Sequence, residues 1–161
     1  MKIVNAYVEN YRLLQEFNLD FEDKLSLIIG KNNCGKTSLL SVLEKFLSND
    51  GTQSDFSFDD FNIEFQQQIK TIVEADQLHE LPDPFGIILK LYIQYEENDD
   101  LSNISQLMLD LDPEVNKIIL SFEYSLSTEK LMLLRSDYTI FRASLNAIAE
   151  TVHEKRSWKK I

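Results

Sequence analysis

The sequence reads Gly30-Lys31-Asn32-Asn33-Cys34-Gly35-Lys36-Thr37 shortly after its N-terminus, and this stretch is the most informative in the chain. It matches the pattern G-x-x-x-x-G-K-[ST] without a gap or a substitution. At average composition, the four fixed positions would match by chance in a chain of this length on the order of once in a few hundred tries. The stretch therefore predicts a P-loop, which is a loop that binds phosphate groups.

Each fixed position of this motif has a physical reason. Gly30 and Gly35 permit backbone angles and a close approach that let successive N–H groups point at phosphate oxygens. A helix that begins near Gly35 adds its positive N-terminal end. Lys36 is a compact cation that can reach the β- and γ-phosphates, and the Thr37 hydroxyl can ligate Mg²⁺. We therefore expect the chain to bind ATP together with Mg²⁺.

The predicted cofactor site extends over the whole loop. It comprises Gly30, Lys31, Asn32, Asn33, Cys34, Gly35, Lys36, Thr37 and Ser38. Cys34 occupies a variable position where a small residue suffices, and Ser38 is either a support for the metal ligand or an ordinary serine in the first helical turn. Thr37 is the predicted metal ligand.

The segments beside the motif have the order strand, loop, helix that a P-loop requires. Leu25 to Ile29 form a short apolar run that ends at Gly30, which predicts a buried strand. Lys36 to Leu47 predict a helix, because apolar residues recur there at helical spacing. The residues expected on its buried face are Leu39, Leu40, Leu43, Phe46 and Leu47.

The remaining segments predict strands before the motif and a mixture of helices and strands after it. The expected elements are two strands within Met1 to Asp20 joined by Asn10 to Gln15, a helix within Glu64 to Glu80, strands Ile87 to Tyr95 and Ile118 to Leu126, a short helix Leu101 to Leu109, and a helix from Thr128 to near His153. The two later strands are expected to form an antiparallel pair.

Composition limits the class of protein. The chain has 161 residues, of which 43% are hydrophobic, and this content supports a packed core. A net charge of -11 argues against broad, nonspecific attraction to nucleic acid. Cys34 is the single cysteine and has no internal disulfide partner. The sequence shows neither a signal peptide nor an apolar run of roughly 20 residues, so we expect a cytoplasmic protein with no membrane contact.

The N-terminal residues resemble a known group of ATPases. Asn10-Tyr11-Arg12, Leu19-Asp20-Phe21 and Leu27 to Ser38 are similar to the N-terminal half of an ABC-type ATPase head, and within that superfamily to OLD (overcoming lysogenization defect) and RecF/SMC-like ATPases. Asp59-Asp60-Phe61 is compatible with the same resemblance. The resemblance implies heads that pair, sandwich ATP and control work on DNA, with a role in DNA repair or antiphage defence. It also makes Arg12 a candidate phosphate contact, against the alternative of a surface arginine at a strand end.

The chain departs from this group after the first helix. It has no apolar run ending in Asp-Glu, which is the Walker B element that hydrolysis needs, and no Leu-Ser-Gly-Gly signature. We therefore interpret it as an N-terminal fragment, a truncated product or one part of a split ATPase, inactive in hydrolysis when alone. Its catalytic base is expected elsewhere. The expected partners are a C-terminal ATPase lobe or a second ATPase subunit, and the resemblance adds DNA and a Toprim-type nuclease.

The predicted fold class is α/β, an incomplete N-terminal lobe of a P-loop NTPase in which a mixed sheet with a central P-loop strand carries added antiparallel strands. A single lobe is expected, with parts at 1–48, 49–85, 86–127 and 128–161. One alternative is a small P-loop kinase or GTPase. A GTPase would require an acid after Asn116-Lys117-Ile118, but the next residue is Ile119. A kinase would begin almost at its P-loop strand, whereas two predicted strands come first here. The other alternative is a noncatalytic interaction module with a relic P-loop.

Overall fold

The computed structural model of the chain describes residues 1–48, 56–75, 84–96, 99–100, 102 and 116–157, and only the backbone of 149–157. The elements are strands β1 (Lys2–Tyr11) and β2 (Leu14–Asp20), helix α1 (Lys36–Leu47), a 3₁₀ turn (Phe58–Asp60), helix α2 (Ile63–Glu74), strands β3 (Gly86–Gln94) and β4 (Lys117–Ser125), and helix α3 (Thr128–Ser157). They form two compact units, one of residues 1–66 and 83–125 and one of 67–82 and 126–161.

The first unit is built on a four-stranded sheet in the order β2-β1-β3-β4. Each pair of neighbours is antiparallel, with Val8 opposite Phe17 on β2 and opposite Leu89 on β3. The two predicted N-terminal strands and the predicted later pair are thereby confirmed. The connection between β1 and β2 is tighter than Asn10 to Gln15, because only residues 12 and 13 lie in the turn.

The predicted mixed sheet with a central P-loop strand is wrong for the part of the chain that the structure describes. Residues 25–29 form no strand, and none of the four described strands pairs with them. Leu25 is 78% exposed, Leu27 75% and Ile29 81%. An extended segment becomes a stable strand only when a neighbour satisfies its N–H and C=O groups and a facing layer covers its side chains. No described strand pairs with residues 25–29, and no facing layer of described residues covers the side chains of Leu25, Leu27 and Ile29.

Helix α1 covers one face of the sheet and closes the core of the first unit. The helix has the predicted bounds, Lys36–Leu47. Leu39 and Val42 are buried, and they pack with alternate residues of β1 and β3 that share one face of the sheet. These strand residues are Ala6, Val8, Ile87, Leu89 and Leu91. Because each fully buried aliphatic side chain stabilises the fold by about 2 kcal/mol, this layer holds α1 in place.

The predicted apolar face of α1 needs one correction. Leu43 and Phe46 pack against the core as expected, but Leu40 is 64% exposed and Leu47 is 45% exposed. Val42, which was not among the predicted residues, takes a central position on the buried face. The face is therefore rotated from the prediction, since five apolar residues at helical spacing leave the centre of the stripe ambiguous.

The second unit contains most of α2 and all of α3. Arg135 donates hydrogen bonds from its guanidinium to the carbonyl oxygens of Ile72 and Ala75, both at 2.6 Å, so it caps the C-terminal end of α2. The predicted helix Glu64 to Glu80 is observed as Ile63–Glu74, and residues 76–83 lie outside the described chain. Of the predicted helix Leu101 to Leu109, only Ser102 is described, so this helix stays a prediction.

Helix α3 confirms the helix predicted from Thr128. Its residue Leu131 is fully buried. The residues that indicated the helix by their spacing, Phe141, Leu145 and Ile148, are 59%, 48% and 60% exposed. Their periodicity predicted the element correctly without indicating a buried face.

Candidate functional site: the P-loop cleft

The motif folds as a tight loop that ends at the first residue of α1. Two residues of the loop have positive φ, Asn33 at 64° and Gly35 at 93°. Asparagine tolerates this region better than most residues, and glycine adopts it freely. Gly35 also has no room for a side chain, because a β-carbon there would lie 2.8 Å from Leu14 Cδ2. The second fixed glycine is therefore required both by its conformation and by its neighbour.

The backbone N–H groups of the loop are available to a ligand. Gly35 stands at the N-cap position of α1 and offers no side-chain hydrogen bond to the first turn. Within the described chain, no hydrogen bond uses the backbone N–H of residues 32–38. Residues 31–34 are exposed to solvent. A helix start with unsatisfied N–H groups and a positive dipole end is a general anion-binding arrangement.

The side chain of Lys36 folds back over residues 30–34 of the P-loop. Its Nζ donates hydrogen bonds to the carbonyl oxygens of Gly30 at 2.6 Å and Lys31 at 2.7 Å, and lies 3.4 Å from Cys34 Sγ. A β-carbon on Gly30 would lie 2.5 Å from the same sulfur, so the first fixed glycine permits this close approach. The ammonium group is thus held at the mouth of the loop by neutral acceptors.

An open cleft of about 420 Å³ lies over the loop, and we call it the phosphate cleft. Its lining consists of Leu13, Asn32, Asn33, Cys34, Gly35, Lys36, Thr37 and Ser38. Seven of the nine predicted cofactor residues of the motif thus line one cleft. The other two, Gly30 and Lys31, accept hydrogen bonds from Lys36 through their carbonyl oxygens. Leu13, from the turn between β1 and β2, was not predicted, since nothing in its own sequence context indicates a site.

The phosphate cleft fits a magnesium nucleotide better than a metal ion alone. The described residues contain no group of three or more His, Cys, Asp or Glu side chains that could hold an ion. Thr37 is exposed at the cleft, whereas Ser38 is 7% exposed in the first turn of α1. A hard cation there would have the Thr37 hydroxyl from the protein and would need phosphate oxygens and water for its other ligands.

Arg12 lies in the hairpin turn between β1 and β2, beside Leu13. Its backbone has φ 46°, and its guanidinium lies 5.2 Å from the centre of the Tyr11 ring. The guanidinium makes two contacts to Asp60 Oδ1, from Nε at 2.9 Å and from Nη2 at 2.7 Å. The side chain is 39% exposed. Arg12 itself is not in the lining of the phosphate cleft, although the next residue, Leu13, is, and part of the hydrogen-bonding capacity of Arg12 is used by a carboxylate.

Asp60 is the residue of this region that sequence reasoning missed as a site component. Its side chain is only 4% exposed, and it also contacts Lys45 Nζ at 3.1 Å and accepts a hydrogen bond from the Ser57 N–H at 2.9 Å. Burial raises the pKa of the Asp60 carboxyl, but the hydrogen bonds from Ser57, Lys45 and Arg12 outweigh it and lower the pKa to about 2. The Ser57-x-x-Asp60 spacing of a capping box is one local signal for it, and Asp59-Asp60-Phe61, which is compatible with the family resemblance, is another.

A second cleft, of about 430 Å³, opens beside the loop within the same unit. Its lining includes Phe17 and Leu19 of β2, Leu27, Ile28 and Ile29 of the apolar run, and Gly35, Lys36 and Leu39. Its walls include the apolar run before the motif, so this cleft marks the place where the run lacks a covering layer among the described residues.

Comparison with known proteins finds relatives that include two DNA repair proteins and an endonuclease. DNA replication and repair protein RecF of Bacillus cytotoxicus is 44% identical over 43 residues, which are 27% of this chain and 12% of that protein. Endonuclease GajA of Bacillus cereus is 28% identical over 108 residues, 61% of this chain and 16% of that protein. DNA double-strand break repair Rad50 ATPase of Methanosarcina mazei is 38% identical over 64 residues, 36% of this chain and 6% of that protein. The chain thus spans less than a fifth of the length of each relative.

The family comparison covers all of the chain. A model described as an AAA ATPase domain matches residues 1–161. With the three relatives, this match confirms the resemblance to OLD-family and RecF/SMC-like ATPases and the assignment to the P-loop NTPase class. In the described part of the chain, no helix combines the length and the apolar character needed to cross a membrane. The chain belongs to the AAA ATPase domain family.

Proposed function

We propose that this chain binds ATP and Mg²⁺ at the phosphate cleft, as the cytoplasmic N-terminal lobe of an OLD-like ATPase that acts in DNA metabolism or antiphage defence. The observation that carries the proposal is the combination of unsatisfied backbone N–H groups at residues 32–38 with the Lys36 ammonium at the same mouth. Both features act on polyphosphate through the chemistry that a P-loop requires.

Each residue of the cleft has a definite task in this proposal. The N–H groups that precede and open α1 donate to the phosphate oxygens. Lys36 exchanges its contacts with the uncharged carbonyl oxygens of Gly30 and Lys31 for contacts with phosphate oxygens, where both partners are charged and Coulomb attraction is added to the hydrogen bond. Thr37 supplies a hydroxyl ligand to the metal. Bound Mg²⁺ would neutralise phosphate charge and orient the β- and γ-oxygens.

Arg12 is a further proposed phosphate contact. A guanidinium has five N–H donors, and the contacts to Asp60 use two of its nitrogens. The side chain keeps donors and partial exposure next to Leu13, which lines the phosphate cleft. These facts support a contact with the outer phosphates once a nucleotide is in place.

We also propose that a C-terminal ATPase lobe or a second ATPase subunit completes the site. The exposed apolar run at residues 25–29 supports this, because three large aliphatic side chains there are at least 75% exposed and two of them, Leu27 and Ile29, border an open cleft. A strand added by the partner would cover them. The same partner would supply the Walker B carboxylates. The names of the relatives refer to DNA repair and to an endonuclease, and they support a partnership with DNA and with a nuclease. We propose that this nuclease is of the Toprim type, as the family resemblance implies.

Isothermal titration calorimetry with ATP and Mg²⁺ tests the proposal. The wild-type chain should bind, Lys36→Ala should bind at least tenfold more weakly, and Thr37→Ala should lose most of the dependence on Mg²⁺. Lys24→Ala, which removes an exposed lysine just outside the motif, is the matched control and should bind like the wild type. Equal heats for the wild type and Lys36→Ala would refute nucleotide binding and favour an interaction module with a relic loop.

A further inference from the structure

The Asp60 carboxylate joins three separate segments of the first unit. Its Oδ1 accepts from Arg12 in the β1–β2 turn, and its Oδ2 contacts Lys45 in the last turn of α1. Oδ2 also accepts from the Ser57 backbone N–H and, at 3.2 Å, from the Ser57 hydroxyl. A carboxylate that is 4% exposed and holds two cations is costly to bury unless such contacts are made together. The three segments are therefore held in one arrangement.

The first of these segments forms a wall of the phosphate cleft. The Arg12 N–H donates to the Asp60 carbonyl oxygen at 2.8 Å, and Asn62 Nδ2 donates to the Arg12 carbonyl oxygen at 2.7 Å. The next residue, Leu13, lines the cleft, and Leu14 lies directly against Gly35. Asp60 and Asn62 thus hold Arg12 of the hairpin turn by its backbone, and Asp60 also holds it by its side chain. The hairpin contacts the P-loop through Leu14.

The second segment is the helix that begins at the phosphate cleft. Lys45 lies on the same α-helix as Lys36 and Thr37, and its side chain is 15% exposed. A helix of 12 residues is stiff on this scale, so a fixed point in its last turn limits how its first turn can tilt. The contact between Asp60 and Lys45 therefore restrains the other wall of the same cleft.

We propose that Asp60 is a positioning residue for phosphate binding, which sets the spacing of the cleft by holding the hairpin turn through Arg12 and the P-loop helix through Lys45. This inference rests on the proposed function, and it predicts an effect whose sign is opposite to simple electrostatics. Removal of a negative charge near an anion site would strengthen phosphate binding. Loss of positioning weakens it, by about tenfold when the partner of a binding group is removed.

The test compares binding of inorganic tripolyphosphate and of ATP, each with Mg²⁺, to a set of single variants. Asp60→Asn should weaken both ligands about tenfold. Asp59→Asn removes the same charge from the adjacent, exposed position and should change neither affinity by more than about twofold. Ile118→Ala is a stability control, because it removes a buried side chain from β4, at the far edge of the sheet from β2.

The outcomes separate this inference from the proposed function. Weaker binding by Asp60→Asn, with Asp59→Asn and Ile118→Ala near the wild type and all variants folded by circular dichroism, supports it. Unchanged or tighter binding by Asp60→Asn overturns it while Lys36→Ala still loses affinity, and so does an equal loss in Ile118→Ala, which would make the effect one of stability. If Lys36→Ala also binds like the wild type, the proposed phosphate site fails and the positioning role fails with it.

Discussion

Replacing Asp60 with Asn should destabilise the fold by an amount that depends on pH. The pKa of Asp60 falls from 3.8 to about 2 in the folded chain. A lowered pKa means that folding favours the ionised carboxylate, so the stabilisation is complete above pH 3.8 and is lost as the pH falls through about 2. At 1.36 kcal/mol for each unit, the ionised form contributes about 2 kcal/mol to the free energy of unfolding near neutral pH.

An independent consideration gives a similar magnitude. Asp60→Asn leaves Arg12 and Lys45 without their shared carboxylate, and removal of one partner from a fully buried ion pair costs about 3–5 kcal/mol. Arg12 is 39% exposed and can be hydrated, whereas Lys45 is 15% exposed and is less accessible to water. The cost should therefore lie at or just below the lower end of that range, at about 2–3 kcal/mol.

Urea unfolding followed by far-ultraviolet circular dichroism measures this difference. We expect Asp60→Asn to be about 2 kcal/mol less stable than the wild type near pH 7, with the difference falling below about 0.5 kcal/mol near pH 2, where Asp60 of the folded chain is half protonated. Asp59→Asn, the exposed neighbour, should stay within about 0.5 kcal/mol of the wild type throughout. A difference that stays constant between about pH 2 and pH 7 would show that ionisation of Asp60 does not provide the stabilisation, and the reasoning would be wrong.

Two further predictions concern the loop and the run before it. Gly35→Ala should lower the free energy of unfolding by about 1–3 kcal/mol and weaken ATP binding, because it places a β-carbon at φ 93° and 2.8 Å from Leu14 Cδ2. Chemical denaturation measures the stability and calorimetry measures the binding. No change in either would contradict the observed loop conformation. Ile29→Ser should change the stability of the isolated chain by less than about 0.5 kcal/mol, since Ile29 is 81% exposed, yet weaken association with a partner lobe in a pull-down assay. A loss above about 1 kcal/mol would show that the run is covered within this chain.

The parts of the structure that the sequence predicted well are those that local residues determine. The bounds of α1 and the loop before it follow from Gly35, Lys36 and the apolar spacing over the next residues. The hairpin β1–β2 follows from alternation, with Phe17 and Leu19 packed against the core. Each of these elements satisfies its own hydrogen bonds within a few residues or with its neighbour in sequence, so no distant information was needed.

The incorrect predictions concern features that depend on distant partners. The apolar run of residues 25–29 has the composition of a buried strand, but burial depends on what lies against it, and no described strand pairs with it. Composition alone also does not show whether the strands of a sheet run parallel or antiparallel, which is why the predicted mixed sheet differed from the observed one. Leu40 is a smaller case, since its exposure depends on where the sheet meets α1.

The Asp60 cluster shows why a motif match does not determine affinity. Arg12 and Asp60 are 48 residues apart, and their meeting depends on how the hairpin turn, α1 and the 3₁₀ turn pack. The motif specifies the groups that contact phosphate, whereas this cluster restrains the two walls between which those groups stand. Preorganised donors bind without the cost of being ordered. A variant with every motif residue intact but without the Asp60 charge should therefore keep the chemistry of the P-loop and lose part of its strength.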